Sequence, residues 1–363
     1  MNLELLLKSN ELSSFLKNLE EGKKQCLFGL NAPEKGIFFS LAKRGIFVAS
    51  DLVTAEKISA EASALGLENK ILTSSFTNLF GIKDNSTFYD FITVILDFLT
   101  GKLNGLIVLP EVLFERVPSE EELLSSIIKL NSKLTFDKLI KLLIENGYTR
   151  VEQPSRKGQF SVRGDIIDIW SVQNSELIRA MYFGDDLEKL QLVSSDDFSL
   201  IEELEHVDIY PAVLKNLTKF NILSFNTNIF YDEPKKLVSE AENFDASLGE
   251  DKKLFLSIND VFKSQNSSLT SFNNLLSQTN FFKADSVINF KTSSPKKYLF
   301  DYRELVKDIN IFVRGGYKVS LFCGSENNKE KLEKFLLENN IHSVKEDHLD
   351  AGVRLFSNYL PHS

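Results

Sequence analysis

The sequence predicts an α/β fold: a parallel-sheet body interrupted by an α+β insertion and followed by the start of a third, small α/β domain. Three observations predict it. Over the first hundred residues, short apolar runs alternate with segments of helical spacing, the rhythm of parallel strands joined by crossover helices. From about residue 118 to 210 the rhythm gives way to closely spaced strands around one principal helix, and after Pro211 it returns. The expected organisation is a body made of residues 1–117 and 211–290, an insertion of residues 118–210, and a truncated third domain over 291–363. A chain of 363 residues is long for one core, because single cores stop growing at roughly 250–300 residues.

Residues 25–30 form a short apolar run broken by Gly29, residues 34–43 have helical spacing, and residues 45–49 (GIFVA) read as a second buried strand. Ser50 and Asp51 supply cap chemistry for a helix over 55–65, whose Ile58, Ala62 and Leu65 share a face. Residues 70–72 and 105–109 (GLIVL) read as further strands, with an amphipathic helix between them. In the insertion, Thr135 is placed to cap a helix over 136–146 that carries Phe136, Leu139, Ile140 and Leu143 on one side and stops at Gly147. Phe160, Val162, Gly164 and Ile166 alternate on one side while Ile167 and Ile169 fall on the other, a change of parity that predicts a bulge near Gly164 and Asp165. Residues 177–183 and 187–193 flank Gly184, Asp185 and Asp186 as a hairpin. After the insertion, a strand over 228–231 runs into Asp232, Glu233 and Pro234 and then a helix over 235–242. Residues 264–279, rich in Ser, Asn and Gln, predict a flexible loop or a linker helix. A helix over 302–313 ending at Gly315 and Gly316, a strand over 317–323 and a helix over 329–338 repeat the opening order, and the chain is expected to stop short of a domain end.

Composition narrows the class of function. With 43% hydrophobic and 26% charged residues, 8 Pro and 17 Gly, the chain is that of a folded protein without long disorder. Its net charge of -9 argues against a dedicated nucleic-acid surface, because neutralising phosphates takes clustered Lys and Arg. Cys26 and Cys323 lie far apart in apolar runs and read as structural thiols. The four histidines, His206, His342, His348 and His362, show no ligand spacing. The first residues lack the apolar core of a signal peptide, and no stretch reaches the ~18–20 apolar residues of a membrane span, so no membrane partner is expected and the cytoplasm is the expected compartment.

Chemistry concentrates in residues 147–212. Arg150, Arg156, Lys157 and Arg163 cluster around a strand, and at a bulge Arg163 would aim its planar fork outward, toward a carboxylate or carbonyl on a partner. A plainer reading pairs Arg163 with Asp165 or Asp168 to stiffen the strands. The string G-x-F-x-V-R-G-D-I-I-D-I over 158–169, the following I-R and F-G-D hairpin over 178–188, and the closing I-Y-P-A over 209–212 closely resemble the UvrA-binding insertion shared by the excinuclease subunit UvrB and the transcription-repair coupling factors (Mfd). Ser171 departs from the Pro usual there.

The resemblance implies a RecA-like body. In UvrB that body carries a working GxxxxGK[ST] loop. Here the corresponding place runs from Gly29 to Lys35, Gly36 and Ile37: the lysine precedes the glycine, no Ser or Thr stands beside it, and Pro33 removes an amide donor. Asp232 and Glu233 are read as a solvated helix start, with the remnant of a magnesium-holding acidic box as the alternative. The tyrosine-rich hairpin with which UvrB probes DNA has no counterpart in residues 85–109, which hold Phe88 and Tyr89 but run from one helix to a strand.

A degenerate loop without the hairpin is similar to the N-terminal region of a bacterial transcription-repair coupling factor. That resemblance implies UvrA as partner, with Arg150, Phe160, Arg163 and Asp165 at the contact, and no catalytic, metal-binding or cofactor-binding residues in this chain. It further implies RNA polymerase, DNA, ATP and magnesium as business of the rest of the full-length protein, whose C-terminal motor this region would contact. The alternatives are a UvrB-type or other ATP-dependent helicase-like repair enzyme, against which the Lys35 loop counts, and a DNA-binding module, against which the net charge counts.

Overall fold

The computed structural model describes residues 10–30, 34–75, 86–217, 220–263, 268–274, 281–290, 298, 302–345 and 351–357. The chain opens with α1 (Asn10–Glu20), β1 (Lys24–Phe28), α2 (Glu34–Leu41), β2 (Gly45–Val48), α3 (Leu52–Ala64), β3 (Asn69–Leu72), α4 (Ser86–Leu99) and β4 (Gly105–Val108). Asp51 caps α3 by accepting the Thr54 amide at 2.7 Å, as the sequence predicts. The insertion follows: α5 (Glu120–Ser125), β5 (Ile128–Leu130), α6 (Phe136–Glu145), β6 (Thr149–Arg150), β7 (Gln159–Arg163), β8 (Ile166–Trp170), β9 (Leu177–Phe183), β10 (Asp186–Val193), β11 (Leu200–Glu203) and β12 (Val207–Ile209). Then come β13 (Asn228–Asp232), α7 (Pro234–Ser247), β14 (Leu269–Asn273) and β15 (Ser286–Asn289), and last α8 (Tyr302–Arg314), β16 (Lys318–Phe322), α9 (Glu326–Glu338) and β17 (Gly352–Phe356).

Seven parallel strands build one sheet in the order β15-β1-β14-β13-β2-β4-β3. The chain leaves it after β4, builds the insertion, and re-enters at β13. Helices cover both faces, so β2, β4 and β14 are buried at every position. Much of the phenylalanine is used here: Phe47, Phe230 and Phe272, on adjacent strands, stack with ring centroids 5.7–6.3 Å apart.

Two expectations are corrected. The stretch 264–279 is not a linker over the residues described, because Leu269–Asn273 is the fully buried β14; residues 264–267 and 275–279 lie outside the described set. Its polar side chains are satisfied inside the sheet, where Gln25 Nε2 donates to Thr270 Oγ1 at 3.2 Å and the Cys26 thiol and Ser271 hydroxyl both donate to Asn273 Oδ1. Nor is there a bulge at Gly164 and Asp165. Arg163 pairs with Ile166 across a two-residue turn between β7 and β8. Gly164 has φ +59°, the left-handed first position that such hairpin turns require, so parity changes because the chain reverses.

The insertion is a six-stranded sheet, β11-β10-β9-β8-β7-β6, with α6 against its inner face and β5 paired to β12 alongside. Thr135 occupies the N-cap position of α6 but makes no side-chain capping bond, while Gly147, at φ +83°, ends the helix as expected. One continuous core joins insertion to body, running from Phe160, Ile167 and Ile178 through Tyr148 and Tyr210 to Leu96 and Leu113. Tyr210 donates to Asp97 on α4 at 2.9 Å, and Tyr148 donates to the Tyr210 carbonyl at 2.7 Å. The last elements pair β16 with β17 in parallel and bury Leu305, Ile309, Leu336, Val353 and Leu355 in a core of their own.

Candidate functional site

The outer face of the insertion sheet carries a row of polar residues in register across five strands: Ser161, Asp168, Arg179, Gln191 and Glu203. Alternation puts them on the side away from the core formed by Phe160, Ile167, Ile169 and Ile178. Asp168 is the hub. Its side chain is fully buried, and it accepts from Arg163 Nη2 at 2.6 Å, Arg179 Nε at 2.7 Å and Arg179 Nη2 at 3.1 Å. Two guanidiniums against one carboxylate leave the centre positive. Arg179 is mostly covered, but the Arg163 side chain is 51% exposed, so its remaining N–H groups face solvent. The Phe198 ring lies 5.6 Å from the Arg163 guanidinium and 5.5 Å from that of Arg179.

The pairing of Arg163 with Asp168 corrects the bulge-borne, outward arginine. The arginine is anchored first and exposed second. Phe160 is fully buried in the core, where it holds β7 in place, and so is not itself exposed for contact. Arg150 pairs with Phe160 in the edge strand β6, at the opposite parity from Arg163, so the two arginines are not brought together. Asp165 sits exposed at the hairpin tip, where its carbonyl accepts the Tyr182 amide at 2.9 Å. That bond draws the tip against the end of β9, whose Phe183 is 73% exposed. Sequence reasoning missed Arg179, Phe183 and Phe198. Reading Gly164-Asp165 as a hairpin turn would have placed Asp168 opposite Ser161 and pointed to the row.

A second centre lies at the carboxyl edge of the seven-stranded sheet, where the degenerate loop meets the acidic pair. Asp232 is almost wholly buried, which corrects the solvated helix start; Lys35 donates to it at 2.5 Å and reaches Glu233 at 3.6 Å. Glu233 adopts φ +46° at the N-cap of α7 and accepts the Asn274 amide at 2.8 Å. Burial raises the carboxyl pKa of Glu233, opposed by Lys35 and reinforced by Asp232. The Gly36 amide, at the start of α2, donates to the buried Glu61 carboxylate at 3.2 Å, and a side chain at Gly36 would collide with Glu61. Gly29, at φ +73°, packs against the Phe290 carbonyl. Alongside, burial pushes the Asp51 carboxyl up, but bonds from Lys236 and Thr54 outweigh it and hold the group at about 2. Two lysines thus meet three carboxyl groups, Lys35 those of Asp232 and Glu233 and Lys236 that of Asp51. Pro33 lies outside the described residues. The described residues 86–109 run from α4 to β4 with no hairpin between them.

Among the described residues no helix is long and apolar enough to cross a membrane. The family described as the UvrB interaction domain matches residues 127–214. The chain is 27% identical to the transcription-repair-coupling factor of Bacillus subtilis (strain 168) over 224 residues, which cover 58% of this chain and 19% of that protein. It is 30% identical over 96 residues to UvrABC system protein B of Prochlorococcus marinus (strain MIT 9301), and 31% identical over 96 residues to that of Thermotoga neapolitana, covering 26% of this chain and 14% of either relative. The chain therefore spans about a fifth or less of these relatives' lengths. The resemblance read from residues 147–212 is borne out: the matched family covers the whole of that stretch.

Proposed function

We propose that this chain is the N-terminal module of a transcription-repair coupling factor, recruiting UvrA to RNA polymerase stalled at a lesion during nucleotide excision repair in the cytoplasm. One observation carries the reading. Within the segment similar to the UvrB interaction domain, a positive centre is built on the buried Asp168, with half of the Arg163 side chain left open to a partner. Anchored arginines of this kind recognise carboxylates with little loss of side-chain freedom. Polymerase, DNA, ATP and magnesium would be engaged by the rest of the full-length protein, whose motor this module contacts.

In this reading the chain does not turn over ATP and holds no cofactor. Lys35 is bound within the fold, Glu61 already takes an amide at the start of α2, and the excess of carboxyl groups repels a triphosphate. The test measures UvrA binding and thermal unfolding on wild type, Arg163→Ala and Arg163→Glu. Loss of an interfacial arginine should cost on the order of 2 kcal/mol in binding, against roughly 1 kcal/mol or less in folding for so exposed a side chain; charge reversal should abolish the complex. An Arg163→Ala protein that binds UvrA normally but unfolds far more easily would return the arginine to a purely internal role.

A further inference from the structure

Phe198 lies outside both strands of the sequence motif, yet it is the residue that covers the arginine centre. It belongs to a turn closed by its own hydrogen bonds: Ser194 donates its amide to the Ser199 carbonyl at 2.9 Å, Phe198 donates to the Ser194 carbonyl at 3.0 Å, and Asp197 accepts from both the amide and the hydroxyl of Ser199. This turn joins β10 to β11 and folds back over the outer face. Phe198 sits in it at φ +61°, a conformation that a bulky side chain adopts only where surrounding contacts compensate. The turn's own hydrogen bonds hold that conformation, and it sets the ring 5.6 and 5.5 Å from the two guanidiniums.

We propose that Phe198 is a positioning residue of the partner-binding surface. Its ring holds the guanidiniums of Arg163 and Arg179 in their shared geometry on Asp168 and shields their faces from water, so that the open edge of Arg163 meets a carboxylate-bearing segment of UvrA. The charge balance selects that chemistry: two guanidiniums exceed the single Asp168 carboxylate, and the excess is carried by the exposed partner of the pair. The role rests on the reading of this face as the UvrA contact.

The experiment measures UvrA affinity and thermal unfolding for Phe198→Ala, Phe198→Leu, Phe198→Tyr and Arg163→Ala. Ala and Leu carry the same left-handed backbone penalty as Phe, so differences between them and Tyr report the ring. The expected result is a loss of about tenfold in affinity for Ala and Leu, within the range of interface positions that matter, with Tyr close to wild type and unfolding unchanged in all three. Ala or Leu binding as well as wild type, or more tightly, overturns the role, the latter because Phe198 would then be a cover that the partner displaces; a loss shared by Tyr, or matched by lost stability, overturns it equally. Arg163→Ala separates the two levels. If that variant binds normally, the contact face itself is misassigned; if it binds weakly while Phe198→Ala does not, only Phe198 is.

Discussion

The two charged centres use one chemistry to opposite ends. In each, a carboxylate on a strand of a sheet is buried and met by a cation: Asp232 by Lys35, and Asp168 by Arg163 and Arg179. In the body the Lys35 side chain is 14% exposed, and it is held between two carboxylates. In the insertion Arg163 is 51% exposed, and it shares its carboxylate with a second guanidinium. The first arrangement closes on itself and ties the start of α2 to the end of β13. The second leaves positive charge over. Of the two buried carboxylates, only Asp168 is met by more than one cation with one of them reaching water.

Asp168→Ala is the most damaging way to break this contrast. It strands the covered Arg179 and releases Arg163, so stability should fall by about 3 kcal/mol or more, as when one partner of a buried pair is removed, and UvrA binding should vanish with it; a midpoint of chemical unfolding within error of wild type would refute the anchoring role. Lys35→Ala should cost nearly as much, about 3 kcal/mol, because Asp232 is left buried without its cation, yet UvrA binding by the folded fraction should be unchanged. Equal stability losses for Lys35→Ala and Arg163→Ala in urea titrations would erase the distinction between closed and open centres.

Nucleotide binding sharpens the same comparison. Calorimetry with ATP and magnesium should show no binding to wild type or to Lys35→Ala, whereas micromolar affinity that disappears in Lys35→Ala would show the body centre to be a working phosphate site.

The smallest effect concerns Asp51, whose folded value of about 2 lies below the unfolded value near 3.9. A depressed carboxyl stabilises the fold above about pH 4 and loses that contribution as pH falls through about 2. Because the side chain is 40% exposed, solvent screening holds the contribution below about 1 kcal/mol. The stability gap between wild type and Asp51→Asn should be open near neutral pH and close on acidification; a gap that widens in acid would give the wrong sign.

Local pattern by itself determined much of this protein. Alternating apolar runs marked β1, β2 and β4, Asp51 and Gly147 marked the ends of helices, and the string from Gly158 to Ile169 was specific enough to carry the family resemblance. These are legible because each depends on neighbours within a turn or a pleat. Tertiary structure decided the rest. Leu269–Asn273 reads as a polar linker until Gln25 and Cys26, some 245 residues earlier, supply its hydrogen bonds. Asp232 reads as a solvated helix start until Lys35, 197 residues away, buries it. Glu61 shows no relation to Gly36 until α3 packs beside α2. A buried polar group is stable only with its partner in place, and the partner is chosen by which elements the sheet brings together, a choice that spacing along the chain does not encode.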